Sequence, residues 1–99
     1  MAIQPDGLVE QHKHQVKVHF TYLNTNAEVS FDVEESRTLN SVWDEAYVKL
    51  GESRKPKDEL LCADGDPLTE YLDLTMKELE ERHICLARRY QIRSETGGA

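Results

Sequence analysis

Between Gln15 and Val33 two runs alternate apolar and polar residues one for one, and this period of two constrains the chain more than any other feature. Val16, Val18, Phe20 and Tyr22 share one side of the first run, with Lys17, His19 and Thr21 on the other. Successive side chains of a strand point to opposite faces, so the pattern is that of a strand half buried in a sheet. Asn24, Thr25 and Asn26 interrupt it. Asn tolerates the left-handed region and bonds its own backbone, which suits a turn. Ala27, Val29, Phe31 and Val33 then alternate with Glu28, Ser30 and Asp32. Two such runs across a three-residue link predict an antiparallel hairpin.

The period then changes. Leu39, Val42, Trp43, Ala46 and Leu50 form one helical stripe. Thr38 or Ser36 is placed to cap its N-terminus, and Gly51 stands where a left-handed C-terminal residue belongs. This predicts a helix over 39–50. Beyond Pro56, Glu59 to Cys62 reads as a short strand, Ala63 to Pro67 as a turn, and Leu68 as the start of a brief partner strand. Thr75 can cap a helical turn from Met76 to Glu81, with Met76 and Leu79 inward. Ile84 to Ala87 is the last apolar run and the expected final strand, with Ile84 and Leu86 as its inward pair. Residues 1–14 have no sustained apolar period and read as a flexible leader; residues 15–88 form the domain, and 89–99 a flexible tail. One helix crossing between hairpin and later strands predicts an α+β fold, a mixed sheet of four to five strands packed on one helix.

Charge and size narrow the function classes. Twelve Lys and Arg against nineteen Asp and Glu leave a formal charge of -7 over 99 residues. Duplex binding needs clustered cations to displace counterions, so no nucleic-acid partner is expected. No apolar run approaches the roughly 20 residues of a membrane span, and the N-terminus lacks the basic-then-apolar order of a secretory signal. Cys62 and Cys85 are too few for a disulfide scaffold and sit in or beside apolar runs, where a free Cys acts as a small hydrophobe. The expectation is a monomer in a reducing compartment, the cytoplasm, with no membrane contact. A domain this small needs most of its apolar residues for its core. An enzyme is possible on size alone, but a surface-recognition module is the first expectation, with no catalytic residues, no metal and no cofactor expected.

The order of elements resembles the β-grasp fold of ubiquitin-like proteins over most of residues 15–98. Thr38-Leu39-Asn40-Ser41-Val42 resembles the capped helix start of ubiquitin, and Pro56 through Gly65 is similar to the family's post-helix proline, third strand and glycine turn. Leu74-Thr75-Met76-Lys77-Glu78-Leu79 resembles the late turn of the SUMO branch. Thr96-Gly97-Gly98 resembles a SUMO-like conjugating terminus. The resemblance implies a protein modifier conjugated through Gly98, with Gly97 beside it, after a protease cuts between Gly98 and Ala99. It implies an adenylating activating enzyme, a conjugating enzyme, a processing and deconjugating protease (a JAB-type metalloprotease or a cysteine protease) and target proteins with acceptor amines. Ser94, Glu95 and Thr96 replace the Arg-Leu-Arg of ubiquitin and become the residues by which such enzymes recognise the tail. A bacterial ubiquitination-like pathway with its own enzymes fits so divergent a chain. Glycine suits the terminus because it lets backbone approach a thiol or nucleotide closely. From Arg89 to Gly98 the chain would reach at most roughly 33–36 Å.

Other readings attach to single features. Asp64, Asp66, Glu70 and Asp73 with Lys17 resemble the charge pairing of a non-conjugated PB1-type interaction domain, set against a plain solvated turn such as Asp-Gly favours, and the Gly-Gly end also fits a sulfur carrier. His12, His14 and His19 are candidate metal ligands set against a solvated pair; His83 reads as a surface residue and Trp43 as core. Glu78 to Glu81 reads as a solvated face that could steer a basic partner.

Overall fold

The alternating runs pair as strands β1 (Gln15–Tyr22) and β2 (Ala27–Glu34), antiparallel, with Gln15 opposite Glu34 and Tyr22 opposite Ala27. The computed structural model describes residues 14–94. Val18, Phe20 and Tyr22 of β1 and Phe31 and Val33 of β2 are buried, as the period of two requires. The link is four residues, 23–26, and closes on a left-handed Asn26 (φ 63°) whose N–H donates to the Tyr22 carbonyl.

Helix α1 (Leu39–Leu50) follows, with Thr38 as its cap: Oγ1 accepts from the Ser41 N–H at 3.2 Å. Gly51 ends it at φ 74°, its N–H reaching the Tyr47 and Val48 carbonyls. Leu39, Val42, Trp43, Ala46 and Tyr47 are its buried residues. Strand β3 (Glu59–Cys62), a 3-10 turn (Thr69–Tyr71), helix α2 (Met76–Glu81) and strand β4 (Arg89–Arg93) complete the order. Thr75 and Glu78 form a reciprocal capping box at the start of α2. The sheet order is β2-β1-β4-β3, with β1 and β4 parallel at its centre and both outer pairs antiparallel. The result is a small α+β protein, a four-stranded mixed sheet with one main helix. Its core joins one face of that sheet to α1 and is closed by Leu68, Met76 and Leu79.

Four expectations need correction. The final strand is Arg89–Arg93 rather than the run from Ile84 to Ala87, and its inward residues are Tyr90 and Ile92. Residues 82–88 instead form a turn in which His83, Cys85 and Arg88 all have positive φ, and Leu86 is exposed. The domain therefore runs past 88, and the expected tail loses its first five residues to the sheet. The partner strand at Leu68 shrinks to a bridge between Leu61 and Pro67 before the 3-10 turn begins. Finally, Cys62 and Cys85 are joined in a disulfide, and no free cysteine remains. Pairing of β3 with β4, followed back through the 82–88 turn, sets their Cα atoms 5.7 Å apart, within bridging range. A bridge persists in oxidising surroundings, so the Cys content no longer argues for a reducing compartment. Among the described residues no helix is long and apolar enough to cross a membrane.

Candidate functional site at the root of the C-terminal segment

The central strand β4 carries the chain towards its last residues, and its end is fastened from three sides. From the β1–β2 link, Leu23 N–H donates to the Ile92 carbonyl at 3.0 Å and Asn24 Oδ1 accepts from Ser94 N–H at 3.2 Å. From β3, the Glu59 carboxylate takes both Nε and Nη2 of Arg93, an exposed pair directly opposite in the sheet. Beneath them lies a buried carboxylate, Asp58.

Asp58 joins the helix to the root. Tyr47 of α1 donates its hydroxyl to Asp58 Oδ2 at 2.7 Å, and the Lys55 backbone N–H donates to the same oxygen at 3.1 Å. Among the described residues Oδ1 has no hydrogen-bond partner within ordinary distance. Burial works against ionisation of this carboxyl, yet the Tyr47 hydroxyl, the nearby Ser94 hydroxyl, the Lys55 N–H and the Lys55 charge together hold its pKa below the usual carboxylate range. Burial, and then donation to Asp58, push the Tyr47 phenol strongly upward, so Tyr47 stays a donor. Over the outer side of α1, the Arg54 guanidinium stacks 3.6 Å from the Trp43 ring centre and pairs with Asp44.

Of the residues by which enzymes were expected to recognise the tail, only Ser94 lies within the described chain, and it is buried. Its role there is to anchor the strand end. Glu95, Thr96, Gly97, Gly98 and Ala99 lie outside the described residues, as do the leader residues up to Lys13, His12 among them. Of the candidate histidines, the two described ones, His14 and His19, are not brought together. His14 faces Glu35 at 3.4 Å, whereas His19 contacts Ser30 and Glu28 on the sheet surface. His14 and His83 do rim one open groove with Glu35, Glu80 and Glu81, but no three such residues are placed to hold a metal ion among those described. Lys17 pairs with Asp32, and Asp64 accepts from Asp66 N–H within its own turn.

The expected site does not include Asp58, Tyr47 or Asn24. Tyr47, four residues after Trp43, carries a faint helical signal of burial. Asp58 has none, because a carboxylate in a charged loop reads as solvated. No protein-family model matches the chain, and no curated protein is significantly similar to it.

Proposed function

We propose that this chain is a ubiquitin-like modifier with a β-grasp fold, made as a precursor, cut after Gly98 and conjugated through that residue. The observation that carries the reading is the placement of Thr96-Gly97-Gly98 a few residues beyond the fastened end of a central strand, in a sheet gripped by one helix. The strand order, with a parallel β1–β4 centre and the helix crossing before β3, is compatible with a β-grasp.

The chemistry then belongs to partners. Water cleaves the Gly98–Ala99 peptide bond under a JAB-type metalloprotease or a cysteine protease. The freed carboxylate attacks the α-phosphate of ATP on an adenylating enzyme and releases pyrophosphate. A cysteine thiolate of that enzyme displaces AMP, and a conjugating enzyme accepts the thioester before a target amine expels the thiolate. The modifier supplies reach and a small backbone, and its fastened root limits where those enzymes can sit.

The test is an immunoblot of tagged protein in cells that carry the cognate enzymes. A ladder of larger species that disappears in Gly98→Ala, together with loss of one alanine by intact mass, is expected. Wild-type protein that stays intact and unladdered beside a proven active protease and activating enzyme refutes the reading. A thiocarboxylate on Gly98 in place of the ladder would assign the chain to sulfur carriage.

A further inference from the structure

Apart from the tail, one place combines a covalent tether, a narrow crevice and an unpartnered buried hydroxyl. Helix α2 and the 82–88 turn enclose a narrow crevice lined by Met76, Leu79, Ile84, Cys85, Leu86 and Tyr90, too tight to admit a water molecule. Tyr90 is 1% exposed, and its hydroxyl has no hydrogen-bond partner among the described residues. Buried hydroxyls are normally satisfied by protein or water, so an unpartnered one beside a dry crevice is a costly arrangement. The tether is the bridge from Cys85 in the turn to Cys62 at the end of β3. Across the mouth, Arg88 pairs with Glu80 at 3.1 Å. His83, Cys85 and Arg88 occupy left-handed backbone that non-glycine residues rarely adopt, at φ 60°, 49° and 53°. Such a conformation persists where its surroundings over-determine it.

We infer that Cys62–Cys85 is a redox modification site, and that its reduction by a dithiol frees the 82–88 turn from β3 and lets water into the crevice beside Tyr90. The occupant of the opened crevice is water, and the ligand class that acts on the site is a protein or small-molecule dithiol. Thiolate of the dithiol attacks the sulfur of Cys85, which is half buried where Cys62 is 7% exposed. The Cys62–Cys85 bond breaks and Cys62 leaves as a thiolate that takes up a proton. The second thiol of the reductant then displaces Cys85 and departs as its own disulfide. Two electrons and two protons have passed to the bridge. The new Cys85 thiol finds an acceptor ready, because its sulfur already lies 3.4 Å from the Arg89 carbonyl oxygen. The site lies apart from the tail, and the inference does not depend on the conjugation reading.

The experiment is hydrogen exchange on the full chain, oxidised with glutathione disulfide or reduced with dithiothreitol, with intact mass reporting the gain of two hydrogens. In the oxidised protein the amides of Ile84 and Arg88, which donate to the Leu79 and Cys85 carbonyls, are expected to be protected. After reduction they should exchange near free-chain rates, with β1 and α1 amides still at least about a hundredfold slower. The double variant Cys62→Ser, Cys85→Ser should reproduce the reduced pattern without reductant. Titration of the Tyr90 phenol by NMR adds a reading that a passive staple would not move. Burial holds this phenol up at about 12 in the oxidised form, and water at its hydroxyl should bring it down towards the ordinary tyrosine value. Turn amides that stay as slow as the core in fully reduced protein overturn the inference. So does a protein whose two thiols remain free after oxidation.

Discussion

The buried Asp58 carboxylate invites the most direct test of how the root is held. In Asp58→Ala, Tyr47 loses the acceptor of a 2.7 Å hydrogen bond and its hydroxyl stays buried, while the Lys55 N–H loses its partner at 3.1 Å. A charge-assisted bond contributes about 1.5–3 kcal/mol, and an orphaned buried donor costs about 1–3 kcal/mol. Since desolvation of the carboxylate is relieved at the same time, the expected net loss is about 3 kcal/mol. For a domain of this size that lowers Tm by roughly 12–24 °C. Tyr47→Phe alone should cost less, and the double variant should cost less than the sum by about 1 kcal/mol or more, because both changes remove one contact. Urea denaturation of the four proteins measures this. The pH dependence has a fixed sign: the folded pKa of Asp58 is depressed, so the unfolded chain binds more protons in the acid range. The stabilisation is fully present above the unfolded carboxyl pKa of about 3.9 and is lost as pH falls through the lower folded value. Asp58→Asn should flatten that part of the profile. A cost within about 0.5 kcal/mol for Asp58→Ala, or strict additivity with Tyr47→Phe, would refute the buried-acceptor account.

Three further outcomes rest on contacts already described. Reduction of the Cys62–Cys85 bridge, which closes a loop of sequence separation 23, should lower stability by about 3.4 kcal/mol on the chain-entropy relation, read as a lower urea midpoint with reductant. Tyr90→Phe should leave stability within about 0.5 kcal/mol or raise it, since a buried hydroxyl without a partner contributes no bond; a marked loss by thermal melting would show that the hydroxyl is satisfied in solution. Thr38→Ala removes the side chain that accepts from Ser41 N–H and should cost about 1 kcal/mol, which chemical denaturation resolves.

Much of the architecture was legible because periodicity reports burial directly. β1, β2 and α1 follow from alternation and from the stripe at Leu39, Val42, Trp43 and Ala46, and Thr38, Gly51 and Thr75 take the cap positions their chemistry favours. The failures cluster after α2. Ile84 to Ala87 is more apolar than Arg89–Arg93, yet the strand is the charged segment, because Tyr90 and Ile92 alone face the core while the Arg89, Gln91 and Arg93 side chains leave it. Period two over five residues with two apolar positions is a weak signal beside four consecutive apolar residues. The disulfide was hidden for a related reason: spacing along the chain says nothing of the sheet pairing that places β3 beside β4. The Asp58 node joins a helix, a loop and the strand end, and such non-local polar contacts leave no local pattern.

The longer β4 changes what a partner enzyme would have to do. With the chain held in the sheet to Arg93 and fastened at Ser94, Gly98 stands only four positions beyond that anchor, a covalent reach of at most roughly 13–14 Å. An enzyme that reads Gly98 in a channel must therefore press against the root itself, where Leu23, Asn24, Glu59 and Arg93 form the rim. Leu23 is 36% exposed, so Leu23→Arg should leave folding nearly unchanged, within about 0.5 kcal/mol, while it slows removal of Ala99. Insertion of a flexible Gly-Ser stretch of about eight residues after Ser94 should rescue Leu23→Arg, because its r.m.s. span of roughly 15 Å lets the enzyme stand off from the rim. Mass-spectrometric time courses of alanine release from the four combinations separate the two effects. Equal rates for wild type and Leu23→Arg would mean that the enzyme never touches the rim. Slow processing that the insertion fails to rescue would place the defect elsewhere than in reach.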